Sequence, residues 1–480
     1  MNFIKNYFSI LFKEDNGSLL VLSLVVFISR LPFLSAGYGA EEDSWGIALA
    51  AYNTHTTGVF EVSRFPGHPV QELLCSILWV DHPVVFNGLS AFFSTMATLF
   101  FALSLKHTRF KHYLFAAYSF AFMPAIYISS TYTIDYMWTA AFVMGGFYFL
   151  LKEKYILSGI FIGLAIGCRI TAGAMLLPFA VIMWQQSDNK FFLKNILELY
   201  TAAVALGIIT FIPVIMQYGW TFFDYSDTYP YPPITKVVYK GSIGAFGLIG
   251  LLAIILYGVI IIIRQIRDEQ NQLLKNKFIL AGLAVIFLYS VSYLRLPQKS
   301  AFIIPLVPFL ILMYGLLLKS KEFKIFCSCL ILSSFMFSVN LTDKYRGSAS
   351  SKYSLKHTVS GQEIFLDPFT GPVYSDYSKR MQKMKFTDYI IDTCARLQNK
   401  TVLICNWWAN ELVVKMIGKK QNPNVIFEAN LDETMMKSYL GKGCHIYYLP
   451  EQNIFNDLLF NIHTTNSFAA PFIADHQGSK

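Results

Sequence analysis

Charge is what this sequence has least of. Asp, Glu, Lys and Arg make up 14% of its 480 residues, against about a quarter in soluble domains. A single globular domain of this length is excluded on those terms. Cysteine is also sparse, with seven residues at irregular spacing, which excludes a disulfide scaffold. There is no internal repeat and no low-complexity tract, so neither a repeat array nor a disordered tail fits. What is there is apolar: 54% hydrophobic, 16% aromatic, mean hydropathy +0.45. The apolar residues fall in blocks of membrane-spanning length, the pattern of an α-helical polytopic membrane protein.

The formal net charge of +9 raises the question of nucleic acid. From Leu341 onward 16 Lys/Arg stand against 13 Asp/Glu, a balance of +3, which leaves +6 for the membrane part. There the cations sit in short loops between apolar blocks. That is a pattern of topology rather than of phosphate-backbone binding, and no nucleic-acid partner is expected.

A spanning helix needs about 20 apolar residues. Eleven blocks qualify as spans: 18–36, 84–105, 113–130, 134–151, 155–168, 170–184, 196–216, 242–263, 278–294, 301–318 and 325–341. The fifth and sixth are short and share Arg169 at their junction, as in a hairpin that does not fully cross. The opening MNFIKNYFSILFKEDNG reads as a basic interfacial stretch rather than a cleavable signal. Lys and Arg gather in alternate loops, at 106–111, 152–154, 190–194, 264–277 and 319–324. The other loops hold few: Arg64, Arg169, Lys236, Lys240, Arg295 and Lys299. The positive-inside rule then places the N-terminus in the cytoplasm and, after eleven spans, the tail outside it.

Two domains follow, a membrane domain over 1–341 and a tail over 342–480. The tail alternates strand-like runs at 401–407, 424–428 and 445–450 with helix-like stretches at 408–418 and 431–440, which predicts a small α/β unit with a parallel sheet. Cys394, Cys405 and Cys444 allow at most one disulfide there.

The polar chemistry lies in the outward loops. The first, 37–69, carries Glu41, Glu42 and Asp43 directly after the first span, opening an amphipathic stretch, SWGIALAAY, suited to lying along the membrane surface. Adjacent carboxylates at a low-dielectric edge can act as a general base or hold a divalent cation. They can equally do no more than complement a helix dipole. Further on, SRFPGHP presents Arg64 and His68 on a turn stiffened by Pro66 and Pro69. Arg64 can bind phosphate or pair with the carboxylates, and His68 can donate a hydrogen bond or cap a turn. Asp135 stands at the turn into the fourth span, as a solvated cap or as part of a site. Arg169 is costly to bury unpaired and is a candidate anion binder. Arg295 and Lys299 flank the return into the tenth span and can clamp a phosphate or snorkel. Arg30 joins them weakly. The aromatic, proline-rich loop 217–240 suits either sugar stacking or a membrane interface.

The triplet after the first span, the long first loop, the SRFPGHP turn, the GLAIGCR segment and the PQKSAFIIPLVPFL span together resemble the GT-C glycosyltransferases. Within them the chain is most similar to the bacterial relatives of the dolichyl-phosphate-mannose protein mannosyltransferases and to the lipid A aminoarabinose transferase. The resemblance covers roughly residues 18–320. It implies a membrane enzyme, in a bacterial inner membrane, that inverts the anomeric centre while moving a sugar from a polyprenyl-phosphate carrier to a lipid, glycan or protein acceptor outside the cytoplasm. It implies Asp43 as catalytic residue with Glu42 beside it, Arg64 and His68 as contributors to the site, and Arg295 and Lys299 near the donor phosphate. The triplet is EED rather than a pair of aspartates, so which of Glu41, Glu42 and Asp43 is the base stays open. The tail matches no domain of the family. No cofactor is required; Mg2+ or Mn2+ on Asp43 and Glu42 is compatible with the triplet. A polysaccharide polymerase or ligase and a lipid-linked sugar transporter or flippase are the competing classes.

Overall fold

The computed structural model describes residues 17–184, 191–223, 231–267, 276–341, 353–359, 362–430 and 433–449. The basic opening stretch and the middle of the aromatic loop, 224–230, lie outside them. Within them the chain is a helical membrane protein with a small sheet region near its C-terminus. Five helices are long and apolar enough to cross a bilayer: Pro83–His107, Phe192–Thr221, Ile243–Arg267, Lys277–Arg295 and Ser300–Leu317. Shorter apolar helices accompany them at Gly17–Phe33, Tyr136–Leu151, Tyr155–Cys168 and Ile170–Trp184. Large apolar side chains stand exposed on two of the long helices, among them Ile208, Ile209 and Met216 on one and Leu256, Ile262 and Ile266 on the other. Acyl chains are the solvent such faces require.

The helix Tyr155–Cys168 packs on Phe192–Tyr218 along Gly159, Gly163 and Gly167, spaced one turn apart. A Cβ on Gly159 would meet the Leu199 carbonyl oxygen at 2.4 Å, and one on Gly163 would meet the Leu206 Cβ at 2.7 Å. Small residues at this spacing let two backbones approach, which is how helices gain dispersion energy where lipid offers no hydrophobic drive.

The third block is not one helix. Pro124 lacks an N–H, so Tyr113–Ala121 ends and Pro124–Ser129 begins anew. The break frees the carbonyls of Ala121 and Phe122. The Arg30 guanidinium donates to the first and the Ser334 hydroxyl to the second. Arg30 is fully buried against the rings of Phe122 and Tyr127 and also donates to Ser130 Oγ at 3.1 Å. It therefore serves this break rather than an outward anion site.

The eleventh block also ends early. Its helix is Ser320–Leu332, and Ser338–Leu341 is strand β1, which with β2 (Leu355–Val359) and β3 (Gln362–Asp367) forms an antiparallel sheet of order β1-β3-β2. The sheet region thus begins before residue 342. The second sheet is parallel, with β4 (Thr401–Ile404) between β5 (Val425–Glu428) and β6 (His445–Tyr448). Its crossovers carry the helices Ala409–Met416 and Glu433–Gly441, matching the expected alternation. Cys394, Cys405 and Cys444 are buried free thiols. A long helix, Pro372–Cys394, joins the two sheets. It starts tight against the turn that follows Ser320–Leu332: a Cβ on Gly371 would meet the Phe335 Cα at 2.3 Å.

Candidate active site

The segment between the first helix and the acidic triplet is pinned by one side chain. Asn87, fully buried, donates to the carbonyls of Leu34 and Gly37, each at 2.8 Å, and accepts from Thr133 Oγ1 at 2.9 Å. Gly37 has φ +66°, and a Cβ there would meet the Trp45 ring at 2.8 Å, so the turn needs glycine. Glu41 is then the extended N-cap of the helix Glu42–Thr57, which puts three carboxylates at a positive helix end. This helix is not left bare on one face. It is wedged between Pro69–Ile77 and the tail helix Ala409–Met416, which buries Ser44, Trp45, Gly46, Ile47, Ala48, Ala50 and Ala51. Burial on several sides replaces the amphipathic stripe that the sequence suggested.

The SRFPGHP turn is built around a buried carboxylate. Glu72 accepts from Ser63 N (2.8 Å), Ser63 Oγ (2.6 Å) and His68 N (2.9 Å). Gly67, at φ +95°, turns the chain back. His68 Nδ1 lies 2.6 Å from the Cys168 carbonyl, so it carries the hydrogen and donates.

Five segments then bring their charges together. Asp135, fully buried at the N-cap of Tyr136–Leu151, receives Arg64 Nη2 at 2.9 Å on one oxygen and Arg169 Nη1 at 2.7 Å on the other. The Arg169 guanidinium is also stacked on Tyr136 and Phe302, 4.9 and 4.6 Å from their ring centres. Arg64 reaches across to Asp43 with Nε, at 3.4 Å. Lys299 closes the group, donating to Asp43 and lying 2.7 Å from Glu41 Oε2. Glu42 turns the other way and accepts from Asn410 Nδ2 of the tail at 3.3 Å. Arg64 Nη1, His68 Nε2 and the Tyr136 hydroxyl are buried without a hydrogen-bond partner among the described residues.

The two carboxylates that head the helix differ in ionisation. Burial works to raise Asp43, but Arg64 and Lys299 outweigh it and hold the carboxyl well below the usual range. Burial, with the Asp43 charge beside it, pushes Glu42 up to about 7 against the pull of Lys383 and Lys299. His68 is pushed down to about 4, by burial first and by Arg64 and Arg169 next, over the opposing attraction of Asp135. It is neutral at physiological pH, with its Nε2 lone pair available.

Glu42 yields a pH prediction. Its folded value, about 7, lies above its ordinary 4.5, so between these the folded state binds the extra proton and stability falls as pH rises through that window. Glu42→Gln is expected to flatten this part of the profile, its advantage in thermal midpoint over wild type growing from pH 4.5 to 7. Parallel midpoint–pH curves for the two proteins would contradict the assignment.

Most of the residues singled out in the sequence therefore meet: Glu41, Asp43, Arg64, His68, Asp135, Arg169 and Lys299. Arg295 does not. It ends the helix Lys277–Arg295 exposed, four residues before Lys299, and among the described residues no ion pair joins it to the group. Arg169 is near the site but committed to Asp135, so its charge is balanced before any anion arrives. Sequence reasoning missed Glu72, whose place four residues after His68 on a Pro-initiated helix was the available signal. It also missed Asn87, Tyr136, Lys383 and Asn410, for which the sequence offers none. No protein-family model matches the chain, and no curated protein sequence matches it.

Proposed function

We propose that this chain is a GT-C-type glycosyltransferase that moves a sugar from a polyprenyl-phosphate donor to a lipid, glycan or protein acceptor, with inversion. In this reading the eleven apolar blocks, the third broken at Pro124 and the eleventh shortened to end at Leu332, are transmembrane segments, the N-terminus is cytoplasmic, and the site and the tail lie outside the cytoplasm of a bacterial inner membrane. The observation that carries the reading is Asp43, a first-loop carboxylate held between Arg64 and Lys299, with Arg64 Nη1 beside it lacking a hydrogen-bond partner among the described residues.

That arrangement suits a donor that brings its own negative charge. A phosphate arriving at Arg64 Nη1 and Lys299 competes with Asp43 for both cations. As they turn to the phosphate, the Asp43 carboxyl regains basicity and can take the proton from the acceptor hydroxyl. The hydroxyl oxygen attacks the anomeric carbon, the bond from that carbon to the phosphate oxygen breaks, and its electron pair leaves with the polyprenyl phosphate. Arg64 and Lys299 stabilise the charge that develops there. The phosphate ligands are thus Arg64 and Lys299 rather than Arg295 and Arg169. A divalent metal fits the donor set poorly, because a dication on Asp43 would have to displace both an ammonium and a guanidinium; no step is assigned to one.

The test uses polyprenyl monophosphate, the part common to any such donor. The purified full-length protein is expected to rise in thermal midpoint with polyprenyl phosphate but not with polyprenol. Arg64→Gln is expected to weaken that binding at least about tenfold, the scale of a charge-assisted hydrogen bond. Equal responses to the phosphate and the alcohol would remove the basis of the proposal.

A further inference from the structure

The helix Pro372–Cys394 belongs to the tail by sequence, yet one of its faces is spent on the loops that carry the site. Asp376, Arg380, Lys383 and Thr387 follow at spacings of four, three and four, and so share that face. Arg380 is 2% exposed. Its guanidinium donates to the Thr131 carbonyl at 3.2 Å, to Thr131 Oγ1 at 3.1 Å and to the Phe33 carbonyl at 3.2 Å. Phe33 leads into the turn ending in the acidic triplet, and Thr131 into the turn ending at Asp135. One fork therefore holds together the two backbones whose carboxylates must meet Arg64. Its counter-charge is Asp376, at 3.2 Å, which also accepts from the Tyr132 hydroxyl.

Lys383, one turn further on, lies 3.2 Å from the buried carboxylate of Glu411 and over the Trp408 ring. Its ammonium points to the Ala40 carbonyl at 3.4 Å, the residue before Glu41. Glu411 is fixed in turn by Thr387, at 2.8 Å. Asn410, beside it, donates to Glu42.

We propose that Arg380 and Lys383 are positioning residues of the transfer site, Arg380 clipping the Phe33 and Thr131 backbones together and Lys383 tying down the turn that presents Glu41, Glu42 and Asp43. The tail is then a component of the site rather than a separate module beside it. The inference rests on the transferase reading and deepens it.

The experiment uses the full-length protein with two readouts: turnover of a polyprenyl-phosphate hexose accepted by the wild type, and thermal stabilisation by polyprenyl phosphate. Lys383→Met, and the charge-free pair Asp376→Asn with Arg380→Met, are expected to lower turnover at least about tenfold, the scale of a sub-ångström misplacement. Stabilisation by polyprenyl phosphate persists in both, because Arg64 remains on Asp135 and Lys299 remains on its own loop. A loss of fold would lower both readouts together, so the split marks positioning. Lys383→Arg is expected to recover most of the loss. If the double variant does not fold, the two Lys383 variants decide alone. Turnover within about twofold of wild type in Lys383→Met, or parallel loss of turnover and stabilisation, overturns the proposal. A wild type that ignores polyprenyl phosphate overturns the transferase reading beneath it, whereas an inactive Asp43→Asn beside a fully active Lys383→Met overturns this inference only.

Discussion

Asp43→Asn is expected to lower transfer by about a hundredfold to ten-thousandfold, the range that a positioned general base contributes, while the protein still inserts and folds. The second half of that expectation comes from the geometry. Lys299 keeps Glu41 as a partner, and Arg64 keeps Asp135, so removing the Asp43 charge leaves no cation buried alone. Asparagine also keeps the shape of the side chain at the helix end. Binding of polyprenyl phosphate is expected to hold or tighten, because the competitor for both cations has lost its charge. Normal transfer by a well-folded Asp43→Asn protein would end the assignment of this carboxylate as base, and Glu42 would be the next to test.

Asp135→Ala is expected to fail differently, by loss of folded protein. Two guanidiniums converge on this carboxylate, and it is fully buried. Arg64 keeps Asp43, but Arg169 is left in a low-dielectric site without its counter-charge, and stranding a buried charge in this way costs about 3–5 kcal/mol. That is a large share of the stability of an ordinary domain. The measurement is the yield of monodisperse protein after detergent extraction. Asp135→Ala with Arg169→Leu, which removes a cation together with the anion, is expected to recover part of it. An Asp135→Ala protein as stable as wild type would show that the guanidiniums find other partners.

The contrast between these aspartates was only half legible in the sequence. Both stand at the ends of apolar blocks, which marks them as expensive to place and worth examining. Which cation each would meet was not legible, because Arg64 reaches Asp135 across 71 residues and Lys299 reaches Asp43 across 256. Arg295 and Lys299 show the same limit at short range. They look alike as cations flanking a span, but the helix ends at Arg295 and the chain turns before Lys299, so one stays exposed and the other reaches the carboxylates. The parallel sheet was legible because its strands are short β-branched and aromatic runs between helical stretches. The antiparallel sheet was not: β1 closes an apolar block, and β2, LKHTV, mixes polar and apolar residues. The contribution of the tail helix was invisible for a simpler reason. Its face of Asp376, Arg380, Lys383 and Thr387 reads as an ordinary solvated stripe until the loops it grips are in place.

The broken helix at Pro124 bears on how the protein is made. Chains emerge N-terminus first, and a bare carbonyl in hydrocarbon is costly. Arg30 precedes Ala121 in the chain, so the donor of the first freed carbonyl is already present when that carbonyl is made. The Phe122 carbonyl must wait for Ser334, 212 residues later. Until Ser334 is synthesised, the Phe122 carbonyl lacks the donor that it has in the folded chain. The turn after Ser320–Leu332 therefore completes a break opened 212 residues earlier, and the carbonyls at Pro124 are both satisfied only once the chain has folded back on itself.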